Sequence, residues 1–479
     1  MPFTSLEFVA FLVICIAAVR AAGSRSLQKW LIIFFSYSFC YLSSGLIGVT
    51  VISVLSLLDF EVGRRLGKPD CQDSSRRWLW LGLAANLGIL GFFKYAEFFV
   101  ETLNTLLHPV GMHVPVVVGH IISPVGLSFF TFSGMSYLLD IYYGKIEPAE
   151  RLAEYTAYLV YFPKLVAGPI VRAAEVLPQF KLGIRFSVRD VEVGCAYLLV
   201  GAVKKLVIAD QLSGHVSMIL ADPQNYNGLT LLQGIIGYTV QIYADFSGYS
   251  DMAIGCARLM GIEFPQNFLM PYSSLNIAEF WRRWHITMSN WFRDYIFVPL
   301  ELESRGMSKS SVRVSRNLII TMLLCGLWHG ARWNFVLWGG LHGAALAVYQ
   351  VYTSELRPHL PQWTGWRQSA GKLIARAMTL SVVILGYVLF GTQTLTAAFR
   401  YLWRMAMWRH DGLALGSPYI LPLTAVVVIA HLLIDKDRNV IEELANYPLA
   451  VRVLGYSSLL VALTCLVPSE SVPFVYVQF

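Results

Sequence analysis

Histidines and arginines stand out in two polar segments of an otherwise apolar chain. The first polar segment, residues 280–300, is FWRRWHITMSNWFRDYIFVPL and contains His285 among three arginines and three tryptophans. The second polar segment, residues 326–343, is GLWHGARWNFVLWGGLHG and places His329 in a turn between two apolar runs. A neutral imidazole can accept a proton near physiological pH, so these histidines could act as general bases toward an attacking hydroxyl.

A histidine inside a membrane protein can also serve only as a hydrogen-bonding contact between two helices. His329 is followed by Gly330, and this Trp-His-Gly turn interrupts a hydrophobic stretch. Glycine permits the close approach of another backbone or of a substrate. We therefore predict that His329 takes part in chemistry.

The charges of the first polar segment would be costly at bilayer depth, and its tryptophans are typical of the boundary between water and lipid.

The composition indicates a membrane protein. Hydrophobic residues make up 56% of the 479 residues and charged residues 14%, whereas charged residues are about a quarter of a soluble domain. The mean hydropathy is +0.55. The formal net charge of +7 fits basic loops that face an anionic leaflet, and no nucleic-acid-binding motif accompanies it. The seven cysteines show no CxxC pairing, so neither a disulfide framework nor a metal site is predicted.

Apolar runs long enough to cross about 30 Å of hydrocarbon recur along the chain. We predict an all-α polytopic membrane protein with about eleven or twelve transmembrane helices. The predicted spans are 5–20, 28–60, 78–106, 121–143, 191–212, 228–247, 317–352, 372–391, 418–434 and 449–467, of which 28–60 and 317–352 can each hold two helices. The pieces 155–170 and 286–300 are broken by proline or charge and are predicted to be re-entrant or interfacial. One membrane domain is expected to fill residues 1–479.

The distribution of lysine and arginine predicts the orientation, because cytoplasmic loops are enriched in both. Loops 61–77, 181–189 and 301–316 are basic and are predicted to be cytoplasmic. Loops 108–120 and 213–227 contain no lysine or arginine and are predicted to lie outside. The first apolar run is followed, and not preceded, by basic residues, which is the reverse of a signal peptide. It is therefore expected to be a retained span.

Further charged residues lie inside apolar runs, namely Lys94, Lys164, Asp245 and Asp251. Each could form a structural ion pair, and Lys94 could also extend its ammonium group to the membrane surface. Several such residues in one chain favour a hydrated internal chamber over isolated ion pairs.

These residues resemble a known family. The motif WRRWHITMSNWFRDYIFVPL, followed 44 residues after His285 by the LWHG histidine, resembles the membrane-bound O-acyltransferases, and more closely their bacterial alginate and polysaccharide O-acetyltransferase branch. The resemblance covers nearly the whole chain and includes SPVGLSFFTFSGMSYLLDIYYGK, YFPKLVAGPI, DFSGYSDMAIG, PYSSLNIAEFWRRWH and FVYVQF. Residues 389–394 are LFGTQT where the branch commonly has Arg-Ala, so no arginine is assigned a role there.

The resemblance implies a ring of tilted helices around a central tunnel, with a catalytic core at about 120–352. It implies an acyl donor on the cytoplasmic side and an acceptor hydroxyl on the other side. The expected reaction moves an acetyl group from a thioester to hydroxyls of an exported polysaccharide such as alginate. Acetyl-coenzyme A is the expected donor substrate, and no bound cofactor is expected. The expected location is the bacterial inner membrane, with periplasmic acetyl-transfer or polysaccharide-modification proteins as partners.

For this reaction we predict that His329 is the general base. His285 is predicted to assist by orienting the donor or by polarising the thioester carbonyl. Guanidinium groups bind phosphates as planar forks, so arginines of the first polar segment could steer coenzyme A. Five residues of that segment are predicted to position the donor: Arg282, Arg283, Asn290, Arg293 and Asp294.

Other functions stay open. A transporter would also contain buried charges, but the chain shows no inverted repeat and its polar residues concentrate in two segments. A scaffold that only recruits periplasmic partners is disfavoured because both His285 and His329 are present. Among enzymes, the alternative is transfer of a D-alanyl or acetyl group to teichoic acid or peptidoglycan.

Overall fold

The computed structural model describes residues 1–68, 72–115, 123–184, 186–303, 311–361, 363–435, 437–468 and 472–475. Within these ranges the regular backbone is helical, apart from one isolated bridge between Tyr226 and Leu413. Helices satisfy their backbone hydrogen bonds within one segment, as a chain in lipid requires. The predicted all-α polytopic class is confirmed. The predicted loop positions 69–71, 116–120, 185 and 304–310 lie outside the described residues, as do residues 476–479 of the FVYVQF motif.

Among the residues that the structure describes, four helical stretches are long and apolar enough to cross a membrane: Arg25–Leu66, Ser74–Val110, Gly365–Gly391 and Leu449–Leu466. Large apolar side chains on these stretches are exposed, including Trp30 at 57% and Leu46 at 67%. Exposed apolar surface of this extent is expected where a helix faces lipid. The predicted number of crossings, eleven or twelve, also counts shorter and more polar helices and stays a prediction.

The described chain divides into two compact units. The first unit comprises Met1–Leu198 and Ser250–Pro265. Its helices are α1 (Leu6–Ala21), α2 (Arg25–Leu66), α3 (Gln72–Leu90), α4 (Ala96–Leu107), α5 (Leu127–Tyr142), α6 (Leu152–Val160), α7 (Phe162–Leu165), α8 (Ala173–Leu182) and the greater part of α9 (Val188–Ala202). The run 28–60 was predicted to be long enough for two short helices. In the structure, α2 consists of two helical pieces that meet at a kink at Gly45, whose φ of 62° lies in the left-handed region that favours glycine.

Buried polar side chains of the first unit are joined by hydrogen bonds. Asp59 accepts hydrogen bonds from Asn86 at 2.7 Å and from the Tyr155 hydroxyl at 3.0 Å. Lys29 and Glu154 form an ion pair at 2.8 Å. These hydrogen bonds and this ion pair offset part of the cost of burying the polar groups.

The second unit comprises Leu199–Tyr249 and Gln266–Phe479. Its helices are α10 (Asp210–Ala221), the first part of α11 (Gly228–Leu259), α12 (Ile277–Arg283), α13 (Ile286–Phe292), α14 (Val298–Glu303), α15 (Ser311–His329), α16 (Trp333–Val351), α17 (Gly365–Gly391), α18 (Leu395–Ala406), α19 (Ile420–Leu433), α20 (Val440–Leu444) and α21 (Leu449–Leu466). This unit contains both predicted catalytic histidines. That the two units form one membrane domain around a central tunnel stays a prediction.

The segments predicted to be irregular are broken helices. The region 286–300 consists of α13, a π-helical turn at Arg293–Phe297 and the start of α14. The region 155–170 contains the end of α6 and the four-residue helix α7. A π-helical turn alters the direction of the side chains around it and is frequent at functional sites. Their predicted re-entrant or interfacial position stays a prediction.

Helices α15 and α16 form a hairpin that is closely packed through glycines. A Cβ atom on Gly326 would lie 2.2 Å from the Phe335 carbonyl oxygen, and one on Gly339 would lie 2.2 Å from the Met322 carbonyl oxygen. Small residues allow helix backbones to approach closely in a membrane protein. The two helices expected within 317–352 are confirmed, and their contact fixes the turn that contains His329.

Candidate active site

His329 is the last residue of α15, at the turn of the α15–α16 hairpin. Its side chain is buried, with 3% relative exposure. The imidazole centroid lies 4.9 Å from the Trp328 ring, 4.9 Å from the Trp338 ring and 5.3 Å from the Phe390 ring. The contacts with Trp338 and Phe390 are edge-to-face, a favoured geometry for aromatic rings. Packing from three sides therefore limits the orientations that this imidazole can adopt.

His285 lies between α12 and α13 and is completely buried. Its φ of 43° and ψ of 55° place it in the left-handed region, which costs a non-glycine residue about 1–2 kcal/mol. Such a conformation persists where the surrounding structure enforces it, and it is frequent at active sites. Here it directs the side chain of a residue between two short helices into the interior of the second unit.

Asn267 orients His285. The Asn267 side-chain oxygen lies 3.1 Å from Nδ1 of His285. The same oxygen accepts hydrogen bonds from the Thr287 backbone N–H at 3.2 Å and from the Thr287 hydroxyl at 2.9 Å. Because a backbone N–H can only donate, the asparagine atom at this position is an oxygen and His285 Nδ1 carries the proton. Asn267 was not predicted from the sequence, since nothing in the local sequence links it to a histidine 18 residues away.

The structure brings the two predicted catalytic histidines to one aromatic cluster. The Trp328 ring lies 6.0 Å from the His285 imidazole and 4.9 Å from the His329 imidazole. On its other side, His285 packs edge-to-face against Phe246 at 4.6 Å. The first and second polar segments, which the sequence separates, therefore meet at Trp328.

The predicted donor-positioning arginines differ in their surroundings. Arg283 is held by Glu279 at 3.2 Å and by Asp437 at 2.9 Å, which favours a structural role. Arg282 is exposed and makes no hydrogen bond or ion pair with any residue that the structure describes. Among the three arginines, Arg282 is therefore the one most available to a ligand.

Arg293 is exposed and pairs with its neighbour Asp294 at 2.7 Å. Asn290 is partly buried on α13, and its backbone carbonyl accepts a hydrogen bond from the Arg293 N–H. Asn290 lies near the end of α13, and Arg293 and Asp294 begin the π-helical turn that follows it. Their predicted role in binding the donor stays a prediction.

Comparison with known proteins places this site in a family of enzymes. The model of the membrane-bound O-acyltransferase family matches residues 150–392, a range that contains His285, His329 and Asn267. The chain belongs to the membrane-bound O-acyltransferase family. It is an O-acyltransferase, as predicted, and this assignment disfavours the transporter and scaffold alternatives.

Named relatives cover most of the chain. A probable alginate O-acetylase of Azotobacter vinelandii is 36% identical over 80% of this chain and 73% of the relative. A probable alginate O-acetylase of Pseudomonas aeruginosa is also 36% identical, over 84% of this chain and 74% of the relative. A peptidoglycan O-acetyltransferase of Helicobacter pylori is 32% identical over 82% of this chain and 76% of the relative.

Proposed function

We propose that this membrane O-acyltransferase moves an acetyl group from acetyl-coenzyme A on the cytoplasmic side to hydroxyls of an exported polysaccharide. The proposed location is the bacterial inner membrane. The convergence of His285 and His329 on Trp328 carries the proposal, because it brings two imidazoles together in a water-poor interior. The relatives named for alginate O-acetylation support an acetyl group and a polysaccharide acceptor.

In the proposed step, His329 takes the proton of the acceptor hydroxyl as its oxygen attacks the thioester carbonyl carbon. A hydroxyl is a poor nucleophile near neutral pH, and this proton transfer activates it. The new C–O bond forms, the C–S bond breaks, and the leaving thiolate receives the proton from the His329 imidazolium. The products are an acetyl ester and free coenzyme A, and no acyl-enzyme is required.

The hydrogen bond to Asn267 narrows the role of His285. With the proton on Nδ1, a neutral imidazole presents a lone pair at Nε2. Such a nitrogen accepts a hydrogen bond from an N–H or O–H group of a substrate. It does not donate one to a carbonyl oxygen. Of the two predicted roles, orientation of a substrate therefore fits the neutral His285, and polarisation of the thioester carbonyl does not.

The test is direct transfer by the purified protein in lipid nanodiscs. Acetyl-coenzyme A labelled in its acetyl group is supplied with oligomannuronate, cello-oligosaccharide or peptidoglycan fragments as acceptors. We expect label in an exported-polysaccharide fragment. Transfer only to the peptidoglycan fragment would favour the acceptor that the name of the Helicobacter pylori relative suggests. Absence of transfer to every acceptor, with labelled acetyl appearing instead on an added periplasmic partner protein, would contradict direct transfer.

A further inference from the structure

His342, on α16, is a third buried histidine close to the candidate active site. It is 1% exposed, and neither of its ring nitrogens has a hydrogen-bond partner within the residues that the structure describes. The indole Nε1 atoms of Trp281 and Trp338 are likewise buried and without a partner in that part of the chain. Buried polar groups are normally hydrogen-bonded, so each exception requires an explanation, such as an absent ligand or water.

These polar groups belong to one ring cluster. The His342 imidazole lies 4.8 Å from the Trp338 ring and 5.2 Å from the Trp281 ring. Trp338 also packs against His329 at 4.9 Å. We call these residues the His342 cluster (Trp281, Trp338 and His342), and Trp338 joins the cluster to the proposed general base.

Gly386 of α17 lies close to two of these nitrogens. A Cβ atom on Gly386 would lie 2.8 Å from His342 Nε2 and 3.3 Å from Trp338 Nε1. Both nitrogens therefore approach the same glycine. A methyl group at this position would press on both rings and displace them.

A buried histidine of the same unit with one hydrogen-bonded ring nitrogen shows the contrast. His431 on α19 is also buried, at 5% exposure, but its Nδ1 lies 2.8 Å from the Val427 carbonyl oxygen of its own helix. Its ring also stacks on Tyr272 at 5.2 Å. His431 is thus held by hydrogen bonding and by packing, whereas His342 is held by packing alone.

The chemistry of the His342 cluster selects a hydrogen-bond acceptor as its ligand. An indole N–H can only donate, and a neutral imidazole has one N–H and one lone pair. The cluster therefore offers three donors and one acceptor. The proposed reaction contains one group that needs donors and has none assigned, the thioester carbonyl oxygen, which becomes negatively charged when the hydroxyl attacks.

We propose that Trp281, Trp338 and His342 donate hydrogen bonds to the acyl carbonyl oxygen of the thioester and stabilise it as an oxyanion. This proposal rests on the proposed acyl transfer from a thioester. Donors that are fixed in a water-poor site stabilise a developing charge without having to reorganise. Helices α12 and α16 would thus supply the oxyanion donors and α15 the base.

Substitutions that remove one N–H while keeping a ring test the proposal. Trp281→Phe, Trp338→Phe and His342→Phe are compared with wild type for kcat, for donor KM and for thermal stability in nanodiscs. We expect kcat to fall by about a hundredfold for at least two of them, since loss of one oxyanion donor costs about that much. Donor KM and Tm are expected to change little. His342→Gln, which keeps an N–H, should retain more activity than His342→Phe.

Two controls separate this role from a general effect of ring loss. His431→Phe alters a buried histidine outside the cluster, and Trp403→Phe alters a tryptophan that is 62% exposed. Both should keep wild-type kcat. Wild-type kcat in all three cluster variants would overturn the proposal and would leave an ordered water as the partner of these nitrogens. The proposal would also be overturned if a fall in Tm accounted for the whole loss of activity in each variant and in His342→Gln.

The assay is run in parallel with acetyl-coenzyme A and with acetyl carried on an acyl carrier protein. Activity with the acetylated carrier protein but not with acetyl-coenzyme A would refute the proposed donor. The variants would then be compared with the acetylated carrier protein as donor. Activity with acetyl-coenzyme A together with unimpaired variants would refute only the oxyanion role. The two proposals therefore fail in distinguishable ways.

Discussion

Two buried polar clusters of the second unit are built on opposite principles. In the first, the Lys205 ammonium contacts Asp210 at 2.8 Å, Asp245 at 2.6 Å and the Val472 carbonyl oxygen at 2.9 Å. An ammonium has three donors, and here each has an acceptor. In the His342 cluster, buried N–H groups have no acceptor among the described residues. The complete set of acceptors around the ammonium fits a structural role, whereas N–H groups without an acceptor leave room for a ligand or an ordered water.

The Lys205 cluster nevertheless contributes to the active site by supporting it. Asp245 accepts a hydrogen bond from the Val475 N–H at 2.8 Å and so holds residues 472–475 in the interior. Phe474 of this segment lies 5.8 Å from Phe246, and Phe246 packs against His285 at 4.6 Å. The Lys205 cluster therefore lies behind His285. Substitutions in the two clusters should separate effects on stability from effects on chemistry.

The largest effect is expected for His329. His329→Ala should lower kcat by roughly 10²- to 10⁴-fold, the usual contribution of a general base, while protein abundance in the membrane stays normal. Polymer acetylation in cells and quantified membrane protein provide the two measurements. If abundance falls in step with acetylation, His329 is a structural contact between helices and not the general base.

Lys205→Met should have the largest effect on stability. It leaves Asp210 and Asp245 buried without their cation, and removal of one partner from a buried ion pair destabilises by about 3–5 kcal/mol. We expect a lower Tm and low abundance. The triple variant Lys205→Met, Asp210→Asn, Asp245→Asn removes the unpaired charges and should recover part of the loss. A triple variant no more stable than Lys205→Met would show that charge balance is not what the cluster provides.

Asn267→Ala should affect stability and chemistry together. It removes the oxygen that orients His285, and partners that orient a functional histidine typically contribute about 10- to 100-fold. Asn267→Asp keeps an acceptor oxygen and is the matched control. Steady-state kinetics should show a clear loss for alanine and a smaller one for aspartate. Equal kinetics for both variants would mean that packing alone orients His285.

Val475→Pro tests the support behind His285. Proline has no N–H and so removes the hydrogen bond to Asp245, whereas Val475→Ala keeps it. An unsatisfied buried carboxylate oxygen should destabilise the protein by about 1–3 kcal/mol. Tm should therefore fall further for proline than for alanine, which only removes buried methyl groups. A modest decrease in kcat is expected through Phe474 and Phe246. Identical Tm values for the two variants would mean that segment 472–475 does not support the active site.

The smallest effect is expected at the arginines. Arg282→Gln should raise the apparent KM for acetyl-coenzyme A several-fold, since a guanidinium–phosphate contact is one of several that hold such a donor. The acceptor KM should stay unchanged. Arg283→Gln should instead lower Tm, because Arg283 is paired with Glu279 and Asp437. If Arg282→Gln leaves the donor KM at the wild-type value, the exposed arginine does not steer the donor.

Local sequence was sufficient for much of the fold. Long apolar runs and turn residues predicted α15 and α16 and the His329 turn between them, because helix length and a glycine-containing turn depend on neighbouring residues. The break within 286–300 was predicted on the same basis, from charge and proline inside an apolar run. The family resemblance identified His285 and His329 together, and the structure places both against Trp328.

Tertiary structure alone decided which groups meet across long separations in the chain. Asp245 binds the backbone of Val475, 230 residues away, and Arg283 pairs with Asp437, 154 residues away. Asn267 determines which nitrogen of His285 carries the proton. His342 is left without a hydrogen-bond partner in the described chain. Composition and periodicity report which face of a helix is apolar. They do not report which buried donor finds an acceptor, because that depends on how distant helices pack.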